Sequence, residues 1–179
     1  MSQVGTVYAQ ALYSLTKDED CSEKVLQELT VLNGSFEKEP KFLRLLSAPN
    51  LSKEERCGIL DESFRGKVHP YVLNFLKILT EKGYVRRFSD CCKAFRQLYN
   101  EDHGILEVFA YTAIALNEDQ KQRLSQKLQA VTGKTIDLIN RVDPSCLGGV
   151  RLDYDGKRVD DTVSHRLATI SALLKNTVL

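Results

Sequence analysis

The spacing of apolar residues changes period once, at Gly104, and that single change limits the folds open to this chain. Before Gly104 apolar side chains recur every three or four positions, as on a helix that buries one face; after it they alternate, as on a half-buried strand. A chain of 179 residues with one such switch is expected to be mainly α. It should form an N-terminal six-helix antiparallel bundle over residues 1–104, then a small α+β domain with a β-hairpin over residues 105–179.

Punctuation residues divide the first part into helices. Val4, Tyr8, Ala11 and Leu15 form one core stripe behind Ser2, an N-cap candidate, and Val25, Leu29, Leu32 and Phe36 form a second behind Ser22. Pro40 opens a third helix, Ser52 and Glu55 have the spacing of a capping box for a fourth, and Gly66 closes it. A fifth helix runs from Pro70 to a stop at Gly83, and a sixth from about Phe88 to Tyr99.

In the second part Leu106, Val108, Ala110, Thr112 and Ile114 alternate along one strand, and Ile136 and Leu138 along another. Asn117 with Gln120 caps a helix between them that carries Leu124, Leu128 and Val131 and stops at Gly133. Asp155 and Gly156 supply the positive φ angles of a type I′ turn joining Val150 and Leu152 to Val159. Val163, Leu167, Ile170 and Leu174 place one stripe on a terminal helix.

Charge offers no whole-molecule attraction for nucleic acid or an anionic membrane, because 25 basic residues face 24 acidic ones and each half is separately balanced. Five cysteines without a C-x-x-C pair suggest neither a disulfide framework nor zinc, and fit reduced thiols. No run approaches the roughly 18 apolar residues needed to span a bilayer, so membrane association is expected only through a partner.

Candidate chemistry is thin. Gly133-Lys134-Thr135 ends like a phosphate loop, but Leu128 stands where that motif needs glycine, and helix precedes strand. Asp153, Asp155 and Asp160 lack the ligand alternation of a calcium loop. His69, His103 and His165 are scattered, with His69 expected in a turn, and of Cys91 and Cys92 one is expected in the core. No catalytic residue, metal or cofactor is expected. The basic segment 82–96, with Lys82, Arg86, Arg87, Lys93 and Arg96, is the argument for an alternative, a helical RNA-binding protein.

A second apolar face is more informative. On a helical wheel Val72, Leu73, Leu76 and Leu79 make the core stripe of the fifth helix, while Phe75 and Ile78 fall on another side beside Asn74. In the first helix Ala9, Leu12 and Tyr13 likewise lie off the assigned stripe. Two helices with spare apolar faces predict a groove that accepts an amphipathic helix from a partner.

The strings "YAQALYSL", "NFLKILTEKGYVRRF" and "VDPSCLGGVRLDYDGKRVDDTVSHRL" together resemble the delta-subunit family of the rotary ATP synthase, related to the mitochondrial oligomycin-sensitivity-conferring protein. The resemblance spans essentially the whole chain. Departures are Cys146 in place of a larger aliphatic residue, Asp161-Thr162 in place of glycine-serine, and Ser164-His165-Arg166 in place of Arg-x-Arg. Gly148, Gly149, Asp155, Gly156, Asp160 and Thr162 then make a structural signature: close backbone approach, a hairpin turn and a helix cap.

The resemblance implies a non-catalytic stator subunit of the peripheral stalk, which links the catalytic head to the membrane sector of the proton-translocating synthase and resists rotor torque. The helical part would hold the N-terminal helix of an alpha subunit in a groove lined by Tyr8, Ala11, Leu12, Asn74, Phe75 and Ile78. The wheel selects Leu12, Phe75 and Ile78; Tyr8 and Ala11 come mainly from the resemblance. The second part would contact the C-terminal ends of the b subunits. It further implies a peripheral place on the cytoplasmic side of a bacterial cell membrane, reached only through the complex, with no nucleic-acid partner.

Overall fold

The computed structural model describes residues 3–48 and 51–167. Ser2, Ile170 and Leu174, expected in a cap and a terminal stripe, lie outside them. Described residues are mainly helical with one small sheet, and the chain divides after residue 99 into two compact units.

The first unit contains α1 (Gln3–Asp18), α2 (Ser22–Lys38), α3 (Pro40–Leu46), α4 (Lys53–Phe64), α5 (Pro70–Glu81), a 3-10 turn (Val85–Arg87) and most of α6 (Phe88–Asp102). Pro40 and Pro70 sit at helix starts, where a missing N–H costs nothing. Ser52 and Glu55 complete a reciprocal capping box at α4. At α2 the N-cap is Cys21 and not the expected Ser22; no side chain caps that end, and Ser22 is the first helical residue. Val25, Leu29, Leu32 and Phe36 are buried as their spacing predicts. The Phe36 ring stacks on Phe42 and meets Phe64 and Phe88 edge-on, and Tyr13 meets Phe95 in the same way.

Helix α1 corrects the sequence reading. Its core face is Ala9, Leu12, Tyr13 and Thr16, whereas Tyr8 is half-buried and Ala11 and Leu15 are exposed. The inversion has a physical cause, since the true inner face is rich in small and polar residues that an apolar count undervalues. At Gly5 an added Cβ would stand 3.1 Å from Asp90 Cβ, so glycine lets α1 lie close against the start of α6. Thr16 enters the core because its hydroxyl donates to the Tyr13 carbonyl at 3.0 Å.

The second unit is a four-stranded sheet in the order β2-β1-β3-β4. β1 (Ile105–Thr112) pairs parallel with β2 (Thr135–Val142) through the crossover helix α7 (Glu118–Thr132), and antiparallel with β3 (Val150–Tyr154); β4 (Lys157–Asp160) closes the hairpin. Asn117 and Gln120 form the expected capping box, and Gly133 stops α7 in the left-handed conformation. Val108, Ala110 and Leu152 are enclosed, with Leu124, Leu128, Ile136 and Leu138 packed against them. Val131 is exposed and does not belong to the stripe assigned to α7, and Ile114, expected on the first alternating strand, lies beyond the end of β1 and is exposed. Asn140 fastens the loop after β1: its amide donates to the Ala110 carbonyl and the Thr112 hydroxyl at 2.9 Å each, and its carbonyl accepts from Leu116 N–H.

Candidate functional site

The glycine-rich corner resolves into a structural device. Asp155 and Gly156 take φ of 47° and 70°, as a type I′ turn requires, and Leu152 faces Val159 across the hairpin. Gly149 has φ +77°, and a Cβ there would fall 2.4 Å from the Asp161 carbonyl oxygen, so no larger residue fits. Around it Asp161 N–H donates to Val150 O, and Val163 N–H to Gly148 O. Thr162 is the cap: its buried hydroxyl accepts from His165 N–H at 3.2 Å and donates to Asp160 at 2.7 Å. That hydrogen bond from Thr162 holds the Asp160 carboxyl below its ordinary pKa. The helix it caps is described through residue 167.

The other candidate reaction chemistry is absorbed by structure. Gly133 is a helix C-cap followed by a strand, so Gly133-Lys134-Thr135 is no nucleotide loop. His69 caps α5, with Nδ1 accepting from Tyr71 N–H. Asp153 holds Arg158 in a bidentate pair. Cys91 and Cys92 are both buried, one more than expected, and burial pushes the Cys91 thiol up to about 11 and Cys92 higher still. Among the described residues no three metal-ligating side chains cluster.

What remains is a surface on α1 and α5, which pack together. Of the six groove residues expected from sequence, Leu12 and Phe75 are each only 5% exposed. This is a correction: Phe75 turns inward against Phe88, and both residues belong to the core beneath the surface. Ile78 is 44% exposed, Asn74 and Ala11 are exposed, and Tyr8 is half-buried. Sequence reasoning missed two members. Leu15, 44% exposed, was assigned to the core, and Tyr84, 39% exposed, lies just beyond α5 with its ring 6.0 Å from that of Tyr8. The spacing of Tyr8, Ala11 and Leu15 was the available signal, read as an inner face when it is an outer one.

Tyr8, Ala11, Leu15, Ile78 and Tyr84 therefore give neighbouring helices a shared apolar outer surface. The far flank of α5 is engaged elsewhere, through Lys77 to Asp61 of α4 at 2.8 Å and Cys57 to Glu81. Lys77 holds the Asp61 carboxyl below its ordinary pKa. The basic segment does not support RNA binding, because its cations diverge: Arg96 donates to Thr30 on α2, and Arg87 faces Asp90.

Comparison with known proteins agrees with this architecture. Residues 4–174 match the family model described as the ATP synthase delta (OSCP) subunit. The ATP synthase subunit delta of Alkaliphilus oremlandii is 34% identical over 167 residues, covering 93% of each chain. That of Lactobacillus gasseri is 34% identical over 169 residues, covering 94% of this chain and 92% of the relative. A chain in the cryo-EM structure of the Toxoplasma gondii mitochondrial ATP synthase hexamer superposes with a TM-score of 0.77 at 20% identity, covering 97% of this chain and 98% of that one.

Proposed function

Because the chain belongs to the ATP synthase delta (OSCP) subunit family, we propose that its work is mechanical. It is a non-catalytic stator component that holds the catalytic head against the torque of the rotor. Its six N-terminal helices, read as one antiparallel bundle, dock on the head by taking the N-terminal helix of an alpha subunit along α1 and α5. The second unit contacts the C-terminal ends of the b subunits. No described helix is long and apolar enough to cross a membrane; the protein belongs to a membrane-associated complex and reaches the bilayer, on the cytoplasmic side of a bacterial cell, through its partners.

The observation that carries this reading is the uncovered apolar stripe of Tyr8, Ala11, Leu15, Ile78 and Tyr84 on two packed helices. Leu12 and Phe75 form a firm floor under it. Covering such a stripe releases about 25 cal/mol for each Å² of apolar surface, enough for a durable joint without covalent linkage. Nothing in this role breaks a bond, and ATP chemistry belongs to other subunits.

The test is titration calorimetry of the full chain with a synthetic peptide of the alpha subunit's N-terminal segment. Ile78→Glu should weaken binding more than about tenfold, since docking would bury an unpaired charge. Unchanged affinity would remove the groove from the account.

A further inference from the structure

The basic segment left over from the sequence reading and the acidic run that ends α1 acquire a joint meaning at this groove. Along α1 the outer stripe of Tyr8, Ala11 and Leu15 continues, one turn on, to Asp18 at i+3 from Leu15, the last helical residue, and Glu19 and Asp20 follow in the turn; all three carboxylates are exposed. Along α5 the outer positions Asn74 and Ile78 continue to exposed Lys82, and beyond Tyr84 comes exposed Arg86. Tyr84 rests on Tyr8, so the end of α5 lies beside the first half of α1. The cations thus sit at one end of the stripe and the carboxylates at the other, about 15 Å apart at 1.5 Å per helical residue.

Among the described residues no ion pair engages Lys82, Arg86, Asp18, Glu19 or Asp20. Glu19 and Asp20 act on the neighbouring thiol, adding to the burial that raises Cys21. Carboxylates at the C-terminal, negative end of a helix weaken that helix, so α1 gains nothing by carrying them.

We infer that this groove is electrically polar along its length and takes an amphipathic helix whose acidic residues gather at one end and whose basic residues gather at the other. The apolar stripe supplies adhesion, and the charged ends set the direction in which the helix lies. This rests on the groove reading above and adds to it the charge pattern of the partner.

The experiment uses the full chain and the alpha-subunit N-terminal peptide at low salt. Lys82→Glu/Arg86→Glu and Asp18→Lys/Glu19→Lys should each weaken binding about fivefold to twentyfold, a loss that largely disappears near 0.5 M salt, where screening acts within a few ångströms. Lys41→Glu/Arg44→Glu on α3 changes the net charge as much as the first variant does and should leave binding unchanged. Circular dichroism checks that each exposed substitution leaves the fold intact. Charge-reversed chains that bind like the wild type, while Ile78→Glu does not bind, would overturn the polarity and leave the groove standing. Equal weakening by the α3 control would overturn it too, by reducing the effect to overall charge. If the wild-type chain fails to bind the peptide, the groove reading and this inference fall together.

Discussion

Phe88 and Phe95 disappear completely into the first unit, whereas α7 in the second has no fully buried residue at all. The helical unit encloses a continuous cluster that runs from Ala9 through Leu29, Leu46 and Leu76 to Phe95. Among the described residues the buried cluster of the α+β unit is Val108, Ala110 and Leu152, and specific geometry supplements it: Asn140 tying the loop after β1, Gly149 against Asp161, and Thr162 between Asp160 and His165. Volume holds one and directed contacts hold the other. The difference suits their proposed work, since a helix can spare an outer apolar face for a partner only when its inner face is already anchored.

The comparison breaks first at the aromatic core. Phe95→Ala should cost about 3–5 kcal/mol, read as a lower urea midpoint and faster hydrogen exchange in α1 and α6. A cost below about 1 kcal/mol would show that bulk does not hold that unit. Next comes Gly149→Ala, where a positive φ and a carbonyl contact combine; it should cost about 3 kcal/mol, with exchange accelerated in β3 and residues 161–167. Thr162→Ala should cost about 1–2 kcal/mol at the same segment, and Thr162→Ser should recover most of it. The smallest effect is a pH dependence. Asp160 has a folded pKa below its unfolded value near 3.9, so its contribution is fully present above that value and fades as pH falls through the folded pKa. Asp160→Asn should flatten that part of the acid-unfolding curve, and an unaltered curve would place the carboxylate's role elsewhere.

Signals tied to one residue's backbone were the most legible in the sequence. Pro40, Pro70, the Ser52–Glu55 box, the Asn117–Gln120 box and the Asp155-Gly156 turn all mark boundaries seen in the structure, because each acts through φ or a local hydrogen bond. The direction a helix faces was harder. In α1 the outer stripe is more apolar than the inner one, since the core face relies on Gly5, Ala9 and Thr16, whose fitness depends on close approach and a satisfied hydroxyl. Phe75 was misplaced for a related reason: the wheel cannot know that Phe88, thirteen positions away, turns back to meet it. Of the expected groove, Tyr8, Ala11, Asn74 and Ile78 remain at the surface, and Leu15 and Tyr84 join them only once the neighbouring helix is known.

The most direct measurement is amide hydrogen exchange on the full chain with and without the alpha-subunit N-terminal peptide. Exchange should slow along residues 8–19 and 74–86, where the two stripes and their charged ends lie. Slowing confined instead to the cleft lined by Phe36, Phe42 and Phe64, or to the second unit, would contradict the account.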